Sequence, residues 1–175
     1  NLVDGDKIMI LCGMALREKG LTLATAESCT GGLVGTLLTA IPGSSAAYLG
    51  GFVTYTNQMK IDLLGVDPAA ITEFTEVSAK VAAQMAKGAC ERTGAQIGIS
   101  LTGVAGPGGG SARNPVGTVY IGISTPSRTF AVRYCMPDYL PRHEIRSRAA
   151  LLAITLATSE VKNYHLSSHK FRQNS

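Results

Sequence analysis

The 175-residue sequence predicts an α/β fold in which a mixed sheet is covered by helices on both faces. Three observations predict it. In the first hundred residues, apolar segments alternate between strand-like and helical spacing in a βαβα order that favours parallel strands. Residues 116–134 then read as two strands joined by Pro126-Ser127-Arg128, a hairpin that adds antiparallel pairing. A hydrophobic content of 45% with 16% charged residues describes one globular domain, and 175 residues are too few for two ordinary ones.

The elements follow in order. Ile8, Leu11, Cys12, Ala15 and Leu16 recur at helical spacing, and Lys19-Gly20 supplies a basic end and a stop. A strand over 21–26 leads through a turn at Ser28 into a helix carrying Leu33, Leu37 and Leu38, which ends near Ile41-Pro42-Gly43. Phe52-Val53-Thr54-Tyr55 is the next strand; Asn57 caps a helix to about Leu64, and Asp67-Pro68 opens another. Ser78 starts a long helix whose Val81, Ala82, Met85, Ala86 and Ala89 form a small-residue stripe suited to close packing on a sheet. Gln96 to Leu101 is a strand, followed by a glycine-rich stretch at 103–110 and the strands Val116–Ser124 and Thr129–Tyr134. The last helix runs from about Arg142 to Val161. Residues 1–163 therefore read as a single domain, and 164–175 as a polar tail with the composition of a disordered end.

Charge and cysteine usage narrow the function. The net charge is +4. Residues 1–127 hold eight Lys/Arg against nine Asp/Glu, whereas 128–175 hold eight against three, so the basic excess is local. No aromatic-interleaved basic strand or DNA-reading motif accompanies it, and a small phosphorylated ligand fits better than nucleic acid. Cys12, Cys29, Cys90 and Cys135 stand far apart in no metal-ligand spacing, as expected of reduced thiols in a cytoplasmic protein with no metal. No apolar run has the length to span a bilayer, and the N-terminus lacks the pattern of a secretory signal.

The densest chemistry lies in Thr25-Ala26-Glu27-Ser28-Cys29-Thr30-Gly31-Gly32, at a strand-to-helix turn whose backbone N–H groups point towards any anion or developing oxyanion. Ser28 or Thr30 is either a helix cap or, for Ser28, a nucleophile. A Ser-His-Asp triad is disfavoured: His143 lies in the arginine segment, and His165 and His169 in the tail. Lysine is the other activator of serine. Lys60, just after the strand ending at Tyr55, serves if burial or a nearby cation leaves it neutral, with Tyr55 sharing hydrogen bonds between the two; otherwise Lys60 is a solvated helix residue and Tyr55 a core aromatic. Cys29 is a rival nucleophile or a small buried hydrophobe. Glu27 orients the lysine, bonds the turn's backbone, or binds a substrate hydroxyl. The stretch Thr102-Gly103-Val104-Ala105-Gly106-Pro107 permits close backbone approach to a ligand but has neither a P-loop ending nor a dinucleotide-binding context. Arg142 and Arg146, four apart, share a helix face on which both can grip one phosphate.

Together these segments resemble the CinA C-terminal domain family, which includes stand-alone PncC-type nicotinamide-nucleotide amidohydrolases. The resemblance rests on Ala26-Glu27-Ser28-Cys29-Thr30-Gly31-Gly32, Pro42-Gly43-Ser44-Ser45, Gly51-Phe52-Val53-Thr54-Tyr55-Thr56-Asn57, Lys60, Leu64-Gly65-Val66, Thr102 to Pro107, and Pro115-Val116-Gly117-Thr118-Val119. It implies a three-layer α/β/α sandwich with a mixed, mostly parallel sheet, an oligomeric assembly, and hydrolysis of nicotinamide mononucleotide to nicotinate mononucleotide and ammonia without a cofactor. It implies Ser28 as nucleophile, Lys60 as base and Tyr55 as their hydrogen-bonding partner, with N–H groups near Thr30 and Gly31 stabilising the oxyanion. Glu27, Asn57, Thr102, Gly103 and Gly106 would border the substrate, and Arg142 and Arg146 would take its phosphate.

Three segments depart from the family's pattern. Thr75-Glu76-Val77-Ser78 stands where a Gly-Ala-Val-Ser-like run is expected, Ser111-Ala112-Arg113-Asn114-Pro115 replaces a more acidic run, and Tyr139-Leu140-Pro141-Arg142 replaces a Phe-x-Gly-Asp-Arg-like turn. These changes touch the ligand rim and motivate an alternative, a nucleotide-binding regulatory module linked to competence or DNA damage with little turnover. A DNA-associated factor is the third reading, prompted by the family name and the basic C-terminal segment.

Overall fold

The computed structural model describes residues 2–165; His169, Lys170 and Arg172 of the expected tail lie outside them. Helix α1 (Leu2–Lys19) is followed by β1 (Leu23–Glu27), α2 (Leu33–Thr39), a short 3-10 turn (Ser44–Ala46) and β2 (Tyr48–Val53). Three helices, α3 (Asn57–Leu64), α4 (Pro68–Phe74) and α5 (Ala79–Thr93), precede β3 (Ile97–Gly103). The hairpin β4 (Thr118–Ser124) and β5 (Thr129–Cys135) leads to the long α6 (Arg142–Asn163). The sheet order is β2-β1-β3-β4-β5. Pairs β1–β2 and β1–β3 are parallel, and β3–β4 and β4–β5 antiparallel. "Mostly parallel" thus holds for strand direction, since only β4 runs against the rest, while the pairings divide evenly.

Side-chain alternation along the strands builds two cores. Leu23 of β1, Ile97, Ile99 and Leu101 of β3, and Val119, Ile121 and Ile123 of β4 pack with Cys12 and Leu16 of α1 and with Ile145, Ala149, Ala153 and Ile154 of α6. The intervening Ala24 and Ala26 pack with Leu64, Val66, Ala70, Val81, Met85 and Ala89 on the opposite face. The result is the three-layer α/β/α sandwich. Helix α5 lies so close to the sheet that a Cβ on Gly98 or Gly122 would sit 2.2 Å from the carbonyl oxygen of Ala86 or Ala82 respectively. The small-residue stripe predicted on α5 is what permits that approach.

The caps at Asp67 and Ser78 form as expected, their side chains accepting from the N–H of Ala69 and Val81. Helix α3 is capped differently: Thr56 Oγ1 accepts from Met59 N–H, and Asn57 is the first helical residue. The four cysteines are free. Among the described residues no group of His, Cys, Asp and Glu could hold a metal ion, and no helix is long and apolar enough to cross a membrane.

One backbone position is strained. Thr75, which ends α4, has φ 68° and ψ 165°, a region that is almost exclusive to glycine and that crowds a β-branched side chain. The Gly-Ala-Val-Ser-like run that the resemblance implies would put glycine there. Replacing Thr75 by glycine relieves roughly 1–3 kcal/mol of strain against about 0.5–1 kcal/mol of added unfolded-chain entropy. The Thr75→Gly protein is expected to melt about 2–4 °C higher in calorimetry; an unchanged or lower Tm would show that Thr75 is not strained.

Candidate active site at the carboxyl ends of the parallel strands

β1 ends between two neighbours, and both ladders run one residue past it. Ser28 N–H donates to Leu101 O at 3.0 Å, and Thr54 N–H donates to Glu27 O at 2.9 Å. The strand alternation then decides what Glu27 and Ser28 face. Glu27 follows Leu23 and Thr25 onto the face covered by α2 and α6, whereas Ser28 follows Ala24 and Ala26 onto the face of α3 and α5.

On that second face Lys60 reaches back from α3. It is 1% exposed. Its Nζ lies 3.1 Å from Ser28 Oγ, 2.9 Å from Thr54 O and 3.4 Å from Tyr55 O. Burial pushes the Lys60 ammonium below its ordinary value, opposed chiefly by the negative charge of Glu76. A neutral amine has two N–H donors and one lone pair. With the Thr54 and Tyr55 carbonyls accepting from Nζ, the position facing Ser28 Oγ is a donor in the ammonium and the lone pair in the neutral amine, which is then placed to accept the hydroxyl proton. Lys60 is therefore not the solvated helix residue that its local sequence allows.

The pair opens into a cleft of about 410 Å³. Ser28, Cys29, Tyr55, Asn57, Lys60, Thr102, Gly103, Gly106 and Arg142 line it, together with Thr56, Glu76, Val77, Val104, Ala105, Gly108 and Gly109. Cys29 is no rival to Ser28. Its thiol is pushed up to about 11, first by burial, so it carries almost no thiolate near neutral pH.

Several expectations require correction. Glu27 does not border the cleft: it is 2% exposed, and its two carboxylate oxygens accept from the N–H groups of Gly32, Val34 and Gly35. Those amides, expected to face a ligand, are consumed inside the protein. Gly31 N–H likewise donates to Ser28 O, and neither Thr30 nor Gly31 lines the cleft; the Thr30 hydroxyl is buried without a partner among the described residues. Among the turn's amides, that of Cys29 meets only its own thiol and that of Thr30 has no described acceptor.

Tyr55 is 61% exposed, beyond the end of β2, so it is not a core aromatic. Its hydroxyl accepts from Arg142 at 3.3 Å, and the part of Tyr55 that meets Lys60 is its carbonyl oxygen. The arginines part company as well. Arg142 edges the cleft and donates to Gly106 O at 2.6 Å. Arg146 turns inward, donating from Nε to Cys29 O and from its terminal nitrogen to Thr30 O, both at 3.0 Å. It steadies the turn behind Ser28 and does not line the cleft. Gly31 is required here, since at φ 61° a Cβ would also press within 3.3 Å of that guanidinium.

Two contributions escaped the sequence reading. The Thr54 carbonyl carries no side-chain signal. Glu76 was visible only as a departure from a pattern. Its segment is fastened to the glycine-rich loop: Thr102 Oγ1 donates to Glu76 O, and Asn114 Nδ2 to Val77 O, both at 2.8 Å. Two of the three departing segments are thus in contact.

Comparison with known proteins places this arrangement. Residues 6–161 match the model of the CinA C-terminal domain. A CinA-like protein of Chlorobaculum tepidum is 49% identical over 153 residues, which cover 84% of this chain and 36% of that protein. The chain thus spans little more than a third of that curated relative. The crystal structure of the competence/damage inducible protein CihA from Agrobacterium tumefaciens superposes with a TM-score of 0.85 at 40% identity, covering 89% of this chain and 94% of that one. A CinA superfamily protein from Klebsiella pneumoniae gives 0.87 at 27% identity, with 91% and 99% covered.

Proposed function

The chain belongs to the CinA C-terminal domain family, and on that premise we propose that its cleft hydrolyses the carboxamide of nicotinamide mononucleotide, giving nicotinate mononucleotide and ammonia. The observation that carries the reading is the buried Lys60 amine 3.1 Å from Ser28 Oγ, with carbonyls on its other side. Neutral Lys60 takes the Ser28 proton as Oγ attacks the carboxamide carbon. The amide of Cys29, the residue after the nucleophile and itself on the cleft wall, is the turn's donor nearest to the oxyanion. As the tetrahedral intermediate collapses, the Lys60 ammonium gives its proton to the departing nitrogen and ammonia leaves. Lys60 next takes a proton from water, whose oxygen attacks the acyl carbon, and returns that proton to Ser28 Oγ as the acid is released. Arg142, at the cleft's edge, is the side chain available to the phosphate. The scheme requires no metal.

The test follows ammonia and nicotinate mononucleotide together as pH is varied. Activity needs the unprotonated amine, so kcat/KM is expected to rise with pH through one ionisation below the ordinary lysine value of about 10.4. The titratable or charged groups around Lys60 in the cleft are Glu76, Cys29, Tyr55 and Arg142, and burial outweighs Glu76 in setting the direction. Equal yields of the two products with that profile support the reading. Folded protein that binds the nucleotide but releases neither product would move it to the regulatory alternative, and activity falling as pH rises would remove Lys60 as base.

A further inference from the structure

The mechanism leaves one charged group of the cleft unused. Glu76 is the only carboxylate among the described lining residues, and its side chain makes no hydrogen bond or ion pair with any described residue. Its place is nonetheless fixed. The preceding Thr75 holds a glycine-type conformation, Thr102 and Asn114 grip the carbonyls of residues 76 and 77, and Ser78 Oγ donates to Thr75 O at 2.9 Å. The rest of the cleft's charge is Arg142, with Lys60 when it is protonated. A carboxylate held uncommitted beside them repels a purely anionic ligand and rewards one that also brings a positive charge.

We infer that Glu76 is the counter-ion for the cationic ring of an N-substituted pyridinium carboxamide, so that the cleft selects amides on a charged ring over amides on a neutral one. The inference rests on the amidase reading for the place of the carboxamide. With that group at Ser28, the ring follows it towards the mouth, where Glu76 meets the ring's positive charge while Arg142 remains for the phosphate. The two side chains thus divide a zwitterionic nucleotide between them.

The test compares wild type with Glu76→Gln, which keeps the size of an exposed side chain and removes its charge. Binding of nicotinamide mononucleotide and of its 1,4-dihydro form, whose ring is uncharged, is measured by calorimetry, and turnover of the former by ammonia release. The variant is expected to raise KM and Kd for the cationic nucleotide about fivefold, the size of one solvent-screened ion contact. Affinity for the dihydro form should stay within about twofold, as should kcat on the high-pH plateau where Lys60 is neutral in both proteins. Loss of the Glu76 charge should also move the rise of kcat/KM with pH to lower pH, because an anion near Lys60 favours its ammonium. Unchanged affinity for the cationic nucleotide, equal weakening of both forms, or a fall in kcat alone would each overturn the inference. If wild type binds the nucleotide without releasing ammonia, the amidase reading fails and the charge comparison by calorimetry still decides the role of Glu76. If wild type binds neither form, both fail.

Discussion

Replacing Lys60 by methionine is expected to reduce amide hydrolysis at least about a thousandfold while leaving a folded, nucleotide-binding protein. Methionine fills the channel occupied by the lysine stem. The variant loses a buried amine whose charged form is already disfavoured, at the cost of the donors to Thr54 O and Tyr55 O, about 1–3 kcal/mol. Measured on protein shown to be folded, lost activity then reports chemistry. Ser28→Ala should match it, and the double variant should be no slower than either single one, because nucleophile and base act as a unit. Small primary amines added to Lys60→Ala should restore part of the rate. Turnover within about tenfold of wild type in Lys60→Met would exclude the lysine as base, and additive losses in the double variant would show that the two residues act in separate steps.

That the pair forms at all was only half legible in the sequence. Periodicity located β1 and α3, and the turn after β1 drew attention to Ser28. Whether Lys60 is solvated or buried depends on α3 packing against α5, which brings its amine to Ser28 just past β1, a long-range placement that residues 57–64 do not encode. The decisive partners of its amine are main-chain carbonyls of Thr54 and Tyr55, and a carbonyl has no residue type to read. Tyr55 illustrates the same limit, since motif and chemistry both marked the residue while the hydroxyl points to Arg142.

Several element boundaries were legible where side-chain destinations were not, although β2 runs over Tyr48–Val53 and not over the 52–55 that the sequence marked. The caps at Asp67 and Ser78 and the small-residue stripe of α5 are local, and local rules sufficed. Arg142 and Arg146 share a helix face by spacing, yet one turn of α6 separates the cleft's edge from the buried carbonyls of Cys29 and Thr30. Spacing says that two side chains are neighbours; which acceptor each meets is settled by the element opposite. Only the departures from the family pattern hinted at Glu76, and its position depends on Asn114, which bonds the neighbouring Val77 from 37 residues further along the chain.

Glu27→Ala is expected to be the most destabilising substitution at the turn, costing roughly 3–5 kcal/mol, because three buried or half-buried N–H groups lose their acceptor at once. No lysine or arginine among the described residues pairs with this carboxylate; the amides that begin α2 and their aligned dipoles hold it in place of a cation. Unfolding followed by calorimetry should show a fall in Tm on the order of 10 °C. Glutamine should do about half the damage. One amide oxygen can still accept from Gly32 and Val34, which share Oε1, but the side-chain NH2 then confronts Gly35 N–H, a donor against a donor. Activity should fall with stability, since the same turn carries Ser28, and that makes the thermal measurement the discriminating one. If Glu27→Ala melts with wild type and merely raises KM, the residue binds substrate as its motif suggested. If it melts early and the surviving folded fraction keeps its KM, the most acidic position of the motif is there to build the turn, and the nucleophile beside it inherits its geometry from that bond set.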